Sequence, residues 1–269
     1  MRQSTFRSVG LLALPLSLLT ACGAPGQDSA LNAYQDSQGV IVRSDKGWSV
    51  ADIDDTVKSF RADLGGDNNL NTAGTQAQGH REINWDGVPA NLSAPQLFPG
   101  DFFKTRGLLV STQGDKLQVS SKASEFDKPE FANVNDDLPQ LFRTFSPEKL
   151  FTSLSSTQME VSFTVPGSLD KATVSAFGAV FTDVDFKNVS KLEFFDMHGA
   201  QIYSVPVEAV PNGNETLSFV GVKFDDGRRI AKVRITSGNT ILSPDKQQTQ
   251  WTDRVALDDF LYSEPQSMR

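Results

Sequence analysis

Four aspartates in two otherwise apolar stretches of the sequence are the residues whose type and spacing could best support chemistry. Asp183 and Asp185 follow one apolar run, and Asp258 and Asp259 are adjacent within another. A strand that continued through the first run would place Asp183 and Asp185 on one face, about 6.5–7 Å apart. Because Ca²⁺ prefers carboxylate and carbonyl oxygens, the four residues predict a calcium site. The alternative is that the first strand ends near Phe181 and its two aspartates are turn residues or caps.

The second aspartate pair raises a question of burial. In a regular strand over residues 255–262, Asp258 and Asp259 would point to opposite faces, so one of them would meet apolar neighbours. A buried carboxylate without a partner is costly. A calcium ion, a structural arginine or a network of backbone amides would each compensate it.

A third group of residues combines an aromatic ring with planar hydrogen-bonding groups. Trp85 stands beside Asp86, with Asn84 and Arg81 close by in the sequence. Sugar-binding sites use this combination, because the ring packs against C–H bonds while the polar groups bind hydroxyls. The four residues predict a ligand-binding surface. The alternative is a core tryptophan with Asp86 and Gly87 in a turn.

Catalysis and nucleic-acid binding find little support in the sequence. The chain has one cysteine and two histidines, and it lacks the G-x-S-x-G nucleophile motif. A glycoside hydrolase that used Asp183 and Asp185 is the catalytic alternative. With 25 Lys and Arg against 33 Asp and Glu, the chain also lacks the basic character that phosphate-backbone recognition requires. We expect a protein that is not an enzyme and does not bind nucleic acid.

The amino terminus has the organisation of a secretory signal peptide. Arg2 and Arg7 precede an apolar run over residues 9–19, which is too short to span a membrane. The run ends in Leu19-Thr20-Ala21-Cys22, which resembles the lipobox of bacterial lipoproteins. This resemblance implies that residues 1–21 are removed and that Cys22 carries the lipid that attaches the protein to a membrane of the cell envelope. Gly23 after the cysteine implies the outer membrane if the cell is Gram-negative.

The segments that follow predict one folded domain. Residues 22–48 are mostly small and polar, and we expect a lipidated flexible tether. Ile53, Val57, Phe60 and Leu64 are spaced four, three and four residues apart, which predicts an amphipathic helix of about four turns. Ser49 begins this helix, and the domain extends over residues 49–269.

Period-two alternation from Gly107 onward predicts an all-β fold. Turn residues separate the alternating segments, which is typical of an antiparallel sandwich, here of jelly-roll type. The predicted strands are Gly107–Thr112, Lys116–Ser120, Met159–Val165, Ala172–Phe181, Lys191–Asp196, Gln201–Val207, Thr216–Phe224, Ile230–Ser237 and Val255–Tyr262.

Three segments together are similar to an uncharacterised family of secreted bacterial proteins. They are residues 79–89, residues 177–185 and residues 255–266. The resemblance covers most of the chain after residue 49, and it implies an extracellular sandwich without adding an activity. The closing Leu257-Asp258-Asp259-Phe260 is loosely similar to the last strand of carbohydrate-binding jelly rolls, which implies an acidic ligand to a structural calcium.

Together these features predict a non-catalytic, membrane-anchored lipoprotein outside the cytoplasm. Its sandwich would bind a glycan or another extracellular ligand. The alternative function is a structural protein of the envelope or matrix, whose sandwich contacts other proteins and binds no small molecule.

Overall fold

The computed structural model describes Met1 and residues 33–35, 39–122, 130–245 and 249–268. Apart from Met1, the predicted signal peptide, residues 1–21, and the predicted lipid attachment at Cys22 lie outside these residues. Leu31–Arg269 form one compact unit. Among the residues that the structure describes, no helix combines the length and the hydropathy of a membrane span.

The described residues form one α-helix and fifteen strands. The helix is α1 (Val50–Leu64), and the strands are β1 (Ala33–Gln35), β2 (Val40–Gly47), β3 (His80–Ile83), β4 (Leu108–Thr112), β5 (Leu117–Val119), β6 (Phe151–Ser153), β7 (Gln158–Thr164), β8 (Lys171–Thr173), β9 (Ala176–Thr182), β10 (Lys191–Phe195), β11 (Gln201–Pro206), β12 (Leu217–Phe224), β13 (Lys232–Thr236), β14 (Ala256–Ser263) and β15 (Gln266–Ser267).

The strands form two antiparallel sheets. The first has the order β1-β2-β12-β9-β14-β6-β5, with β3 also paired to β14. The second has the order β11-β10-β13-β7-β8-β15, with β4 also paired to β7. The apolar residues of both sheets meet in one core. The predicted all-β sandwich is therefore confirmed, and α1 begins and ends where the apolar spacing predicts.

All nine predicted strands occur, but one of them is divided. The segment predicted as a single strand, residues 172–181, contains β8 in the second sheet and β9 in the first. The chain crosses between the sheets at Val174 and Ser175. Alternation cannot reveal such a crossing, because it continues through the residues that change sheets.

The predicted tether is partly wrong. Residues 22–48 were expected to be flexible, yet β1 and β2 lie within this range, and all eight residues of β2 pair with β12. Val40 and Val42 are buried in the core, and the Arg43 guanidinium binds Asp63 of α1 at 2.7 Å. The polar composition concealed this strand because its apolar residues are confined to its first three positions, Val40, Ile41 and Val42. The folded part therefore begins before the predicted Ser49.

Helix α1 packs on the outer face of the first sheet. Its apolar face buries Ile53, Val57 and Phe60. The Phe60 ring lies over Gly178 of β9 and Gly221 of β12, which are paired across the two strands. A methyl group on Gly221 would lie 2.7 Å from atoms of the Phe60 ring. The two glycines thus form the recess in which the helix docks.

We predict that Gly221→Ala lowers the free energy of unfolding by about 1–3 kcal/mol, because the added methyl group overpacks the contact with Phe60. Denaturant unfolding measures this effect. Gly87→Ala is the control, since nothing lies within 4 Å of the methyl group it would add. Gly221→Ala should lower the free energy of unfolding by less in a Phe60→Leu background than in wild type. Additive losses from these two changes would contradict the contact.

Candidate functional site

Trp85 lies in the core and not on a binding surface. It begins a short 3-10 helix, Trp85–Gly87, and its side chain is fully buried. The indole stacks on Phe151 with ring centroids 4.0 Å apart, and its Nε1 donates to the backbone oxygen of Asp258 at 2.8 Å. No face of the ring is open to a sugar. The prediction of a sugar-stacking surface at Trp85 is therefore wrong, and the core alternative is right.

The three residues grouped with Trp85 do not converge on one surface. Arg81 is buried and binds Glu264 through two contacts of 2.8 Å, Nε to Oε2 and Nη2 to Oε1. The Oδ1 atom of Asp86 accepts the backbone N–H groups of Glu148 and Lys149. Asn84 is exposed and precedes the 3-10 helix. Arg81 and Asp86 hold loops in place, so these two predicted binding residues have structural contacts.

Asp258 and Asp259 lie at a β-bulge in the centre of the first sheet. The register of β14 against β9 shifts between Leu257 and Phe260, so that two residues of β14 oppose one of β9. Both carboxylates contact the Ser146 hydroxyl, at 3.1 Å from Asp258 and 2.7 Å from Asp259. Because of the bulge, the two aspartates do not alternate between the faces of the strand, and the prediction that they point to opposite faces is wrong.

Protein donors compensate both carboxylates. The Phe145 N–H donates to Oδ2 of Asp258 at 2.6 Å, and the Arg61 guanidinium lies 3.7 Å from Oδ2 of Asp259. Burial and the neighbouring charge of Asp259 raise the pKa of Asp258 well above its usual value. Burial likewise raises the pKa of Asp259 to about 6, although the Ser146 hydrogen bond acts in the opposite direction. Hydrogen bonds and an arginine thus take the place of a calcium ion at Asp258 and Asp259, as the alternative interpretation expected.

Asp183 and Asp185 are turn residues at one end of the first sheet. β9 ends at Thr182, as the alternative interpretation expected, and Asp183 adopts a left-handed φ of 68°. Asp183 is fully buried, and in the described part of the chain neither of its carboxylate oxygens has a hydrogen-bond partner. Because a buried carboxylate cannot reach a substrate in solvent, the two residues do not form a glycosidase pair.

A third acid, Asp253, joins this end of the sheet. Its carboxylate accepts the backbone N–H groups of Asp185 at 3.2 Å and Phe186 at 3.3 Å. Burial, followed by the charges of Asp185 and Asp253, raises the pKa of Asp183 to about 8. Burial also raises the pKa of Asp253 to about 6. Sequence reasoning missed Asp253, whose one available signal was its position just before the last predicted strand.

These acids do not already form a closed metal centre. Within residues 39–122, 130–245 and 249–268, no group of three or more His, Cys, Asp or Glu side chains has the arrangement that holds a metal ion.

A cleft opens at the opposite end of the sandwich, where β9 begins. Its volume is about 480 Å³, and a second cleft of about 330 Å³ adjoins it through the shared residues Arg229 and Gln266. The larger cleft is lined by turns between strands and by the carboxyl-terminal segment: Thr173, Asp196, Met197, His198, Ile202, Gly227, Arg228, Arg229, Gln266, Ser267 and Met268.

Arg229 is the unusual residue of this cleft. Its Nε donates to Thr173 Oγ1 at 3.1 Å and its Nη2 to the Thr173 carbonyl at 2.5 Å. No acidic residue in the described part of the chain lies within 4.0 Å of its guanidinium nitrogens, and burial lowers its pKa. The neighbouring Arg228, by contrast, is 2.6 Å from Asp226. Arg229 is thus a half-buried cation without a protein counter-ion.

We predict that the stability of Asp258→Asn relative to wild type increases as pH rises. An acid whose pKa is raised by folding stabilises the folded state below its unfolded pKa, and this contribution is lost as pH rises through the folded pKa. The difference in unfolding free energy between Asp258→Asn and wild type should therefore increase from pH 4 to pH 8, by about 1.4 kcal/mol for each unit of pKa elevation. Urea unfolding at both pH values measures it.

Asp258→Ala is the matched variant, because it also removes the acceptor of the partly buried Phe145 N–H. It should lose about 1–3 kcal/mol relative to Asp258→Asn at either pH. Parallel pH profiles for Asp258→Asn and wild type would show that Asp258 is not the titrating group.

Comparison with known proteins adds no family to these observations: the chain matches no protein-family model and no curated protein.

Proposed function

We propose that this protein is a non-catalytic binding protein of the bacterial cell envelope, anchored through lipid on Cys22. In this proposal the sandwich binds an extracellular ligand that carries a carboxylate, such as an acidic glycan, in the cleft around Arg229. The observation that carries the proposal is the half-buried guanidinium of Arg229, which has no acidic partner among the described residues.

The shape and lining of the cleft support ligand binding. Small-molecule sites are concave, have volumes of roughly 300–1,000 Å³ and combine apolar walls with a few polar groups. The cleft has a volume of about 480 Å³, with Met197, Ile202 and Met268 as apolar lining and Thr173 and Gln266 among its polar groups. Such a lining suits a sugar, which presents both C–H surfaces and hydroxyls.

The charge at the cleft specifies the ligand class. A guanidinium presents a planar fork of donors that matches a carboxylate. Thr173 holds Nε and Nη2 of Arg229 and so fixes the plane of the group, and Nη1 makes no hydrogen bond to the described residues. A bound carboxylate would supply the missing counter-ion, and it would restore the interactions that burial removed from the guanidinium.

A structural role in the envelope is the second candidate function. Two tryptophans are exposed, Trp48 at 58% and Trp251 at 75%. Exposed aromatic side chains are enriched in surfaces that contact other proteins. This candidate requires no small ligand, so binding measurements distinguish the two functions.

We predict that the protein binds oligosaccharides containing uronic acids more tightly than neutral oligosaccharides of the same length. Arg229→Gln should weaken this binding about tenfold or more, because a hydrogen bond to a charged group contributes roughly 1.5–3 kcal/mol. Isothermal titration calorimetry with both sets of sugars measures the effect. Arg43→Gln is the control, since Arg43 pairs with Asp63 outside the cleft.

Two results would contradict the proposed function. One is equal binding of the acidic sugars by wild type and Arg229→Gln. The other is a wild-type protein that binds neither acidic nor neutral sugars, which favours the structural role.

A separate prediction concerns the anchor. Mass spectrometry of the protein isolated from bacterial membranes should find residues 1–21 removed and a diacylglyceryl group on Cys22. The lipid matters because several acyl chains together give stable membrane attachment. Cys22→Ser should leave the protein unprocessed at this position, and an intact Met1 on the wild-type protein would refute lipidation.

A further inference from the structure

Three strand ends bring Asp183, Asp185 and Asp253 together. Thr182, the last residue of β9, pairs with both Leu217 of β12 and Ala256 of β14. The turn after β9 therefore lies between the segment that enters β12 and the segment that enters β14. The Asp183 N–H donates to the Thr216 carbonyl at 3.0 Å, and Asp253 binds the N–H groups of the turn. This end of the sheet is opposite the Arg229 cleft.

The carboxylate of Asp183 lacks compensation from the residues that the structure describes. It is fully buried, and neither oxygen has a hydrogen-bond partner among them; Oδ1 of Asp185 is also buried without one. Other buried acids of the sandwich differ in this respect. Glu264 binds Arg81, and Asp258 accepts the Phe145 N–H. A buried acid is normally paired, coordinates a metal or takes up a proton and becomes neutral. The described residues offer Asp183 no pairing, and a bound cation would replace the proton.

We propose that a divalent cation, Ca²⁺, binds at this end of the sheet, with Asp183 and Asp185 as its carboxylate ligands. The site lies at the far end from the Arg229 cleft, so the proposal is independent of the proposed function.

The chemistry of the available atoms selects the ion. Ca²⁺ takes six to eight oxygen ligands, which include backbone carbonyls and water as well as carboxylates. Two carboxylates suffice as its charged ligands, so a ready-made group of three acidic side chains is not required. Structural Zn²⁺ sites use Cys and His ligands, whereas the acids at this end of the sheet provide only oxygen atoms. Asp253 orients the turn, because its carboxylate accepts two of the turn's N–H groups.

Calorimetry and thermal unfolding of the purified protein, in EDTA and in millimolar CaCl₂, test the proposal. Wild type should bind about one Ca²⁺, and at about a hundredfold excess over Kd its melting temperature should rise by about 5–10 °C. Asp183→Asn should lose this shift and bind Ca²⁺ at least about tenfold more weakly. In EDTA the variant should melt no lower than wild type, because it replaces a buried carboxyl that has no hydrogen-bond partner among the described residues with a neutral amide of similar shape.

Asp258→Asn is the matched control, since it also neutralises a buried aspartate but one whose oxygens are already bonded. It should retain the full calcium shift. A wild-type protein whose melting temperature is the same in EDTA and CaCl₂ would overturn the proposal, as would an undiminished shift in Asp183→Asn. Neither result affects sugar binding at Arg229, so the two proposals can fail separately.

Discussion

The burial of β14 on both faces is the constraint on which the surrounding structure depends. This strand lies within the first sheet, between β9 on one side and β3 and β6 on the other, and all eight of its residues are buried. Two of them are aspartates, and Glu264 follows directly. Because buried carboxylates need hydrogen-bond donors, each acid binds a donor from another segment of the chain and fixes that segment against the strand. Asp258 holds the loop at Phe145 and Ser146, and Glu264 holds Arg81.

Arg81, which is bound by Glu264, also positions a long loop. Arg81 also donates to the carbonyls of Leu70 and Thr72 at 2.7 and 2.9 Å, so one buried ion pair fixes a segment that has little secondary structure of its own. Removing one partner of such a pair is strongly destabilising, whereas the intact pair adds little net stability. Its effect is to specify where the loop lies, and loops determine the surfaces that bind ligands.

The centre of the sandwich and its two ends differ in whether their buried charged groups have partners. In the centre, Asp258 and Asp259 have protein partners. Among the described residues, Arg229 at one end has no acidic partner, and Asp183 at the other end has no hydrogen-bond donor. Buried polar groups that a protein leaves unsatisfied call for a specific explanation. The proposed carboxylate ligand and the proposed calcium ion each provide one.

Local patterns in the sequence determined much of the secondary structure, since a helix and a strand depend on neighbouring residues. The spacing of Ile53, Val57, Phe60 and Leu64 located α1, and alternation located nine strand segments, but it did not predict β1, β2, β3, β6 or β15. The contacts of the buried and half-buried charges join residues far apart in the chain: Asp258 and Ser146 are 112 residues apart, and Arg229 and Thr173 are 56 apart. Only the tertiary structure could bury Trp85, turn both central aspartates toward Ser146 through a bulge, and place Asp253 beside Asp183. Periodicity records which face of an element is apolar, but the partner of a buried charge is decided by which distant segments the sheets bring together.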